Sequence, residues 1–209
     1  RLVSATDSVQ AMVCASAIGF YGSERGDELL TEDAERGEGF LADVVADWER
    51  ACDPAREAGK RVVNIRTGIV MSGNSGLLPL LRALFSTGLG GAFGDGNFWY
   101  SWVALDDLTD VYIRTIVDEK LVGPVNGVSP NPVLNKDFVS ALGTELHRPT
   151  ILPIPQFGPA LLLGKQGAQE LALADQRVKP QVLEDLGHTF RYPTIDAALA
   201  HELGGESLL

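Results

Sequence analysis

Apolar residues fall along this chain in short runs and in helical stripes. The run Ala11–Ala17, AMVCASA, ends at a turn carrying Gly19 and Gly22. A short apolar run bounded by turn signals predicts a strand buried on both faces. Ser16 stands at its carboxyl end, where open α/β sheets bind ligands. Ser16, Tyr21 and the backbone around Gly19 are therefore placed to face a site; the other reading is an ordinary core strand with a small polar residue at its exit. Residues 23–38, SERGDELLTEDAERGE, are polar and acidic. They predict a solvated surface loop, with a functional lid as the alternative. Leu41, Val44, Val45, Trp48 and Cys52 then recur at helical spacing, predicting one helix over Gly39–Ala58 that Gly59 closes. From Val62, VVNIRTGIVM is a β-branched run and predicts a second buried strand. Strand, helix and strand make a βαβ unit with a right-handed crossover, so 11–17 and 62–70 are expected as adjacent parallel strands.

Further on, Leu78, Leu81 and Phe85 mark a short helix over Leu77–Phe85. Residues 88–102, GLGGAFGDGNFWYSW, follow a helix and do not spell GxGxxG, so they are no dinucleotide fingerprint. They predict a loop or hairpin that packs aromatics over a site. Leu108, Val111, Tyr112, Thr115 and Ile116 mark a helix capped by Asp106 or Asp107. A strand is expected over Pro124–Ser129. A helix capped by Asn135, with Leu134 and Val139 as a staple, is expected to run to about Leu146. An extended segment follows from Ile151, then a helix near 166–174 and a last one over Thr194–Leu203. No repeat period appears.

Composition narrows the function classes. The 209 residues are 45% hydrophobic, enough for a sizeable core. A net charge of −11 and the lack of any Lys/Arg-rich run argue against a nucleic-acid surface. No apolar run approaches the roughly 18 residues of a membrane span. The first ten residues, RLVSATDSVQ, do not read as a signal peptide, so a cytoplasmic location is the default expectation. Cys14 and Cys52, with no CxxC, fit a reducing compartment. His147, His188 and His201 are scattered and suggest no metal centre. A doubly wound nucleotide fold needs a glycine-rich first turn, which this chain does not supply. The expectation is the carboxyl-terminal part of a larger protein, which by itself binds dinucleotide weakly.

SASAIGFYG, RTGIV, GLGGAFGDG, SWVALDDL and GPVNGVSPNPVLNKDF occur here in that order. Together they resemble the atypical extended short-chain dehydrogenase/reductases, the NAD(P)-dependent or nucleoside-diphosphate-sugar epimerase-like family. The tail, RPTILPIPQF through QRVKPQVLEDLGHTFRYPTIDAAL, is similar to that family's small C-terminal domain of unknown function. The resemblance implies an α/β fold: the C-terminal part of a Rossmann-like doubly wound parallel sheet over 1–148, and a small mixed α+β substrate lobe over 149–209. It also implies NADP or NAD as cofactor and a small nucleotide-sugar-like substrate. The missing N-terminal part of the same protein is the implied partner, with no nucleic acid or membrane. Two functions follow: an epimerase/dehydratase-like enzyme working by reversible hydride transfer, or a catalytically degenerate NAD(P)-binding regulatory protein.

The family's usual Ser/Tyr/Lys set is only partly present. Counting back from Trp48-Glu49 puts Leu41 and Val45 where the resemblance expects Tyr and Lys, and neither transfers a proton. Ser16 matches the upstream Ser, with Ala17 as an alternative alignment. Tyr21 is the nearest phenol, and its ordinary ionisation near about 10 needs a cation to bring it into range. Arg66 is the candidate cation; the competing reading pairs it with an Asp or Glu. Ser16, Tyr21 and Arg66 are thus the implied catalytic residues. Ala17, Ile18, Thr67, Gly68, Ile69 and Val70 are implied beside the nicotinamide, with Gly68 allowing close backbone approach. Gly91, Trp102 and Asn126 are implied at the substrate. Ala104 stands where relatives carry a His.

Overall fold

The computed structural model describes residues 6–88, 90–150 and 174–204. The extended segment expected from Ile151, and residues 166–173 of the helix expected there, lie outside these. Strand β1 (Ala11–Ala17) runs parallel to β3 (Arg61–Thr67), with Ala11 opposite Arg61 and Ala17 opposite Thr67. On its other side β3 pairs in parallel with β7 (Gly123–Gly127), giving the order β1-β3-β7. The expected parallel neighbours are therefore adjacent, and the sheet is of the α/β kind.

The second run does not stay one strand. It breaks at Gly68 into β3 and β4 (Ile69–Met71), and β4 pairs in parallel with β6 (Trp102–Ala104). A Cβ at Gly68 would lie 2.5 Å from the Ser101 carbonyl oxygen and 2.7 Å from Val128 Cγ1. Glycine is needed here so that the neighbouring strand can approach. The β4–β6 pair faces two ways. Ile69, Met71, Trp102 and Ala104 pack into one core with Leu78, Phe85, Tyr100, Phe138 and Leu199. Val70 and Val103 turn to the other core, with Val63, Ile65, Val111 and Val125. The side-chain period of two makes this pair a wall shared by both cores.

The helix expected over 39–58 is two: α1 (Phe40–Arg50) and α2 (Asp53–Glu57). Pro54 in the first turn of α2 has no N–H to continue the earlier helix, so the chain restarts there. Gly59, at φ 73°, ends it as expected. Trp48 does not join the buried stripe; it is 57% exposed. The expected surface loop at 23–38 contains β2 (Glu24–Leu30), which pairs in parallel with β9 (Asp175–Val178) through an irregular register. Only Leu30 of β2 is buried, so ERGDELL shows no alternation for a pattern to reveal. Its partner lies about 150 residues away, and backbone pairing alone makes it a strand.

Helix α3 (Leu77–Ser86) buries Leu78, Leu81 and Phe85 as expected. Within 88–102, β5 (Trp99–Tyr100) pairs antiparallel with β8 (Val133–Leu134). Helix α4 (Leu105–Val117) buries Leu108, Val111 and Thr115, but Ile116 is exposed. Neither expected aspartate caps α4. Instead the buried Asp107 carboxylate accepts the backbone N–H groups of Arg191 (2.6 Å) and Tyr192 (3.0 Å), and Asp106 meets His201 Nε2 at 3.0 Å. Asn135 is the first residue of α5 (Asn135–Glu145) rather than its cap, and its Oδ1 accepts the Phe93 N–H at 3.0 Å. The tail adds α6 (Gln181–Asp185) and α7 (Ile195–Gly204), which bury Leu183 and Leu199 in the two cores.

Cys14 and Cys52 are free thiols with sulfur atoms 3.6 Å apart. Burial, with the Cys52 thiol adding to it, pushes Cys14 up to about 11. The thiolate is the reactive form, so iodoacetamide at pH 8 should alkylate Cys14 roughly a hundredfold more slowly than an exposed thiol. Timed alkylation with peptide mapping checks this; an ordinary rate would mean the thiol is not held in that environment.

Candidate functional site

The carboxyl ends of β1 and β3 come together under α1, as the sheet rule requires. A 3₁₀ turn, Ile18–Tyr21, carries the chain off β1. Four polar side chains expected near a site meet here. Arg66 donates to both Glu49 carboxylate oxygens, from Nε at 2.8 Å and Nη2 at 2.9 Å. The Ser16 hydroxyl donates to the same carboxylate at 2.7 Å. Arg66 Nη1 donates to the Tyr21 hydroxyl at 3.0 Å, and that hydroxyl donates to Asn126 Oδ1 at 2.8 Å. Asn126 donates onward to the Lys179 carbonyl (2.8 Å) and, from its backbone, to Glu32 (2.9 Å). The guanidinium lies over the Phe20 ring, 3.5 Å from its centroid.

So Ser16, Tyr21, Arg66 and Asn126 are joined in one chain of hydrogen bonds, and all four are buried. Of the two readings left open for Arg66, the structure has the ion pair, with Glu49. Glu49 follows Trp48 on α1, and nothing in the sequence separates it from Asp43 and Asp47 on the same helix as the buried partner. Burial pushes the Tyr21 phenol above its ordinary value, against the pull of Arg66 and Asn126. The phenol is thus held away from the range useful in general acid–base work at neutral pH.

Beside this network, and not lined by it, is a cavity of about 300 Å³. Ala17, Ile18 and Gly19 line it from β1 and the 3₁₀ turn, and Thr67, Gly68 and Ile69 from the β3–β4 junction. Leu41, Val44, Val45 and Trp48 form its α1 wall, with Trp99, Ser101, Ala174 and Gln176 opposite. Most residues implied at a nicotinamide therefore share one cavity. Val70 does not; it turns into the second core. Trp102 is fully buried in the first core, and Gly91 is buried away from the lining. Among the described residues, no charged side chain lines the cavity. Such a lining suits the dihydronicotinamide ring of NAD(P)H, which carries no charge, and its described residues offer nothing to a pyrophosphate. Among the described residues, no group of His, Cys, Asp and Glu could hold a metal ion, and no helix is long and apolar enough to cross a membrane.

Residues 154–202 match a domain of unknown function, DUF1731. An epimerase family protein of Mycobacterium leprae is 40% identical over 193 residues, covering 92% of this chain and 62% of the relative. The chain belongs to the epimerase family. It spans 62% to 64% of the length of the mycobacterial members it matches. The crystal structure described as a nucleoside-diphosphate sugar epimerase from Corynebacterium glutamicum is 52% identical, with a TM-score of 0.83 over 98% of this epimerase-family chain and 40% of that one. The human epimerase family protein SDR39U1, solved with NADPH, is 27% identical, with a TM-score of 0.85 over 93% of this chain and 65% of that one. The fold of this family member is thus that of the C-terminal portion of Rossmann-like short-chain dehydrogenase epimerases.

Proposed function

We propose that the full-length protein is an NAD(P)-binding member of the epimerase family that has lost sugar epimerisation. Leu41 and Val45 carry this reading. They stand in the cavity wall where the resemblance expects the Tyr/Lys pair, and aliphatic side chains exchange no proton. Ala17, Ile18, Thr67, Gly68 and Ile69 would hold the nicotinamide ring, and NAD(P), when bound, supplies a hydride donor or acceptor. Ser16, Tyr21 and Arg66 do not stand in for the lost pair, because each is engaged in the buried network beside the cavity. The protein then acts through cofactor occupancy, as a regulatory protein does.

A second reading keeps reversible hydride transfer on a nucleotide sugar. It is favoured by the description of the Corynebacterium glutamicum relative, with Ser16, Tyr21 and Arg66 as its acid–base set. Calorimetry with NADPH and turnover over a panel of nucleotide sugars, both on the full-length protein, separate the two. The expected result is micromolar NADPH binding without turnover. Turnover that falls about 10²–10⁴-fold in Tyr21→Phe, as loss of a general acid does, would establish the second reading instead.

A further inference from the structure

The cavity at the ends of β1 and β3 has unusual polar bookkeeping. Its polar side chains are nearly all engaged by the protein itself. Thr67 Oγ1 donates to the Ile65 carbonyl at 3.3 Å. Ser101 Oγ donates to the Gln176 carbonyl at 2.7 Å and accepts the Val178 N–H at 2.8 Å. The Gln176 amide nitrogen donates to the Ile18 and Gly22 carbonyls. Trp99 Nε1 donates to Asp27 at 2.8 Å. One lining donor is left over. The indole N–H of Trp48, at the exposed rim on α1, has no hydrogen-bond partner among the described residues.

A sugar ring brings several hydroxyls, and most would be buried here against aliphatic and aromatic carbon without a partner. A nucleoside diphosphate brings two negative charges, and among the described residues no Lys or Arg lines the cavity to meet them. What the lining does offer is flat apolar surface, from Leu41, Val44, Val45, Ile18 and two indoles, plus one donor. Ligand sites of this kind bind mostly by apolar contact, with few polar groups setting orientation.

We infer that the ligand sharing this cavity with the cofactor is a neutral aromatic carbonyl compound whose oxygen accepts the Trp48 indole N–H, and not a nucleotide sugar. This rests on the cofactor-binding reading above, since it places the ligand beside a nicotinamide. Trp48 is then the residue that distinguishes a carbonyl compound from a plain hydrocarbon of the same shape.

The test uses calorimetry on the full-length protein saturated with NADP⁺. The probes are 1-tetralone, tetralin (the same ring system without the oxygen) and UDP-glucose. The ketone should bind and UDP-glucose should not. Trp48→Phe keeps an aromatic ring at an exposed position, so the fold is preserved while the donor is lost. It should weaken 1-tetralone about three- to tenfold, the effect of one net hydrogen bond, and leave tetralin unchanged. Binding of UDP-glucose, failure of the ketone to bind, or equal ketone affinity in Trp48→Phe overturns the inference. If NADP⁺ and NADPH themselves fail to bind the wild-type protein, the cofactor reading falls instead. The same three titrations on the cofactor-free protein then decide the ligand class by the same outcomes.

Discussion

Glu49→Ala should lower the stability of the full-length protein by about 3–5 kcal/mol, the cost of stranding one member of a buried ion pair. Arg66 is 4% exposed and Glu49 14%, so water cannot replace the lost carboxylate at the guanidinium. The same substitution takes the acceptor from the Ser16 hydroxyl. Removing both charges should cost less than removing one: Glu49→Leu combined with Arg66→Met leaves no unpaired ion and should recover much of the loss. Urea denaturation of the single and double variants measures both. A single-variant loss below about 1 kcal/mol would place this pair with ordinary solvated surface pairs.

Trp102→Ala should cost about 3–5 kcal/mol, the range for emptying a large aromatic site in a core. The side chain is fully buried against Met71, Leu78 and Phe138, and its Nε1 donates to the Asn131 carbonyl at 3.0 Å. The family resemblance implies a substrate contact at this position, whereas its surroundings make it a packing residue. The two roles separate cleanly. A packing residue lowers the denaturation midpoint and leaves ligand affinity of the folded fraction intact. A substrate contact would weaken ligand binding with stability largely preserved. Trp102→Phe should fall between, because the ring is retained while the Asn131 carbonyl loses its donor.

Much of the sheet was legible because its middle strand, β3, is buried almost throughout. RVVNIRT is the run of a central parallel strand; AMVCASA lies at the edge of the described sheet, half-buried rather than buried on both faces, and still pairs with it as expected. β2 was not legible, because a strand that buries only Leu30 shows no periodicity and its partner is remote in sequence. The helix break at Ala51–Cys52 could have been read from Pro54, which outweighs the stripe that continues across it. Capping aspartates and Asn135 were misassigned for a common reason. A short polar side chain before an apolar run looks like a cap, but Asp107 and Asn135 accept backbone N–H groups from distant segments instead. At the site, most of the residues the resemblance implies lie close together in space, but the resemblance does not separate those that line the cavity from those packed beside it. Ser16, Tyr21 and Arg66 are near the cavity in space, and their side chains face one another.

The shared wall of β4 and β6 bears on how the family's chain length can vary. Three residues of each strand alternate between two cores, Ile69 and Met71 to one and Val70 to the other. Inserting or deleting a single residue in either strand would swap the faces of everything after it. Both cores would then receive the wrong side chains at once. Substitutions of similar size should be tolerated along this wall, while length changes should be confined to the loops outside it, such as the one preceding β5.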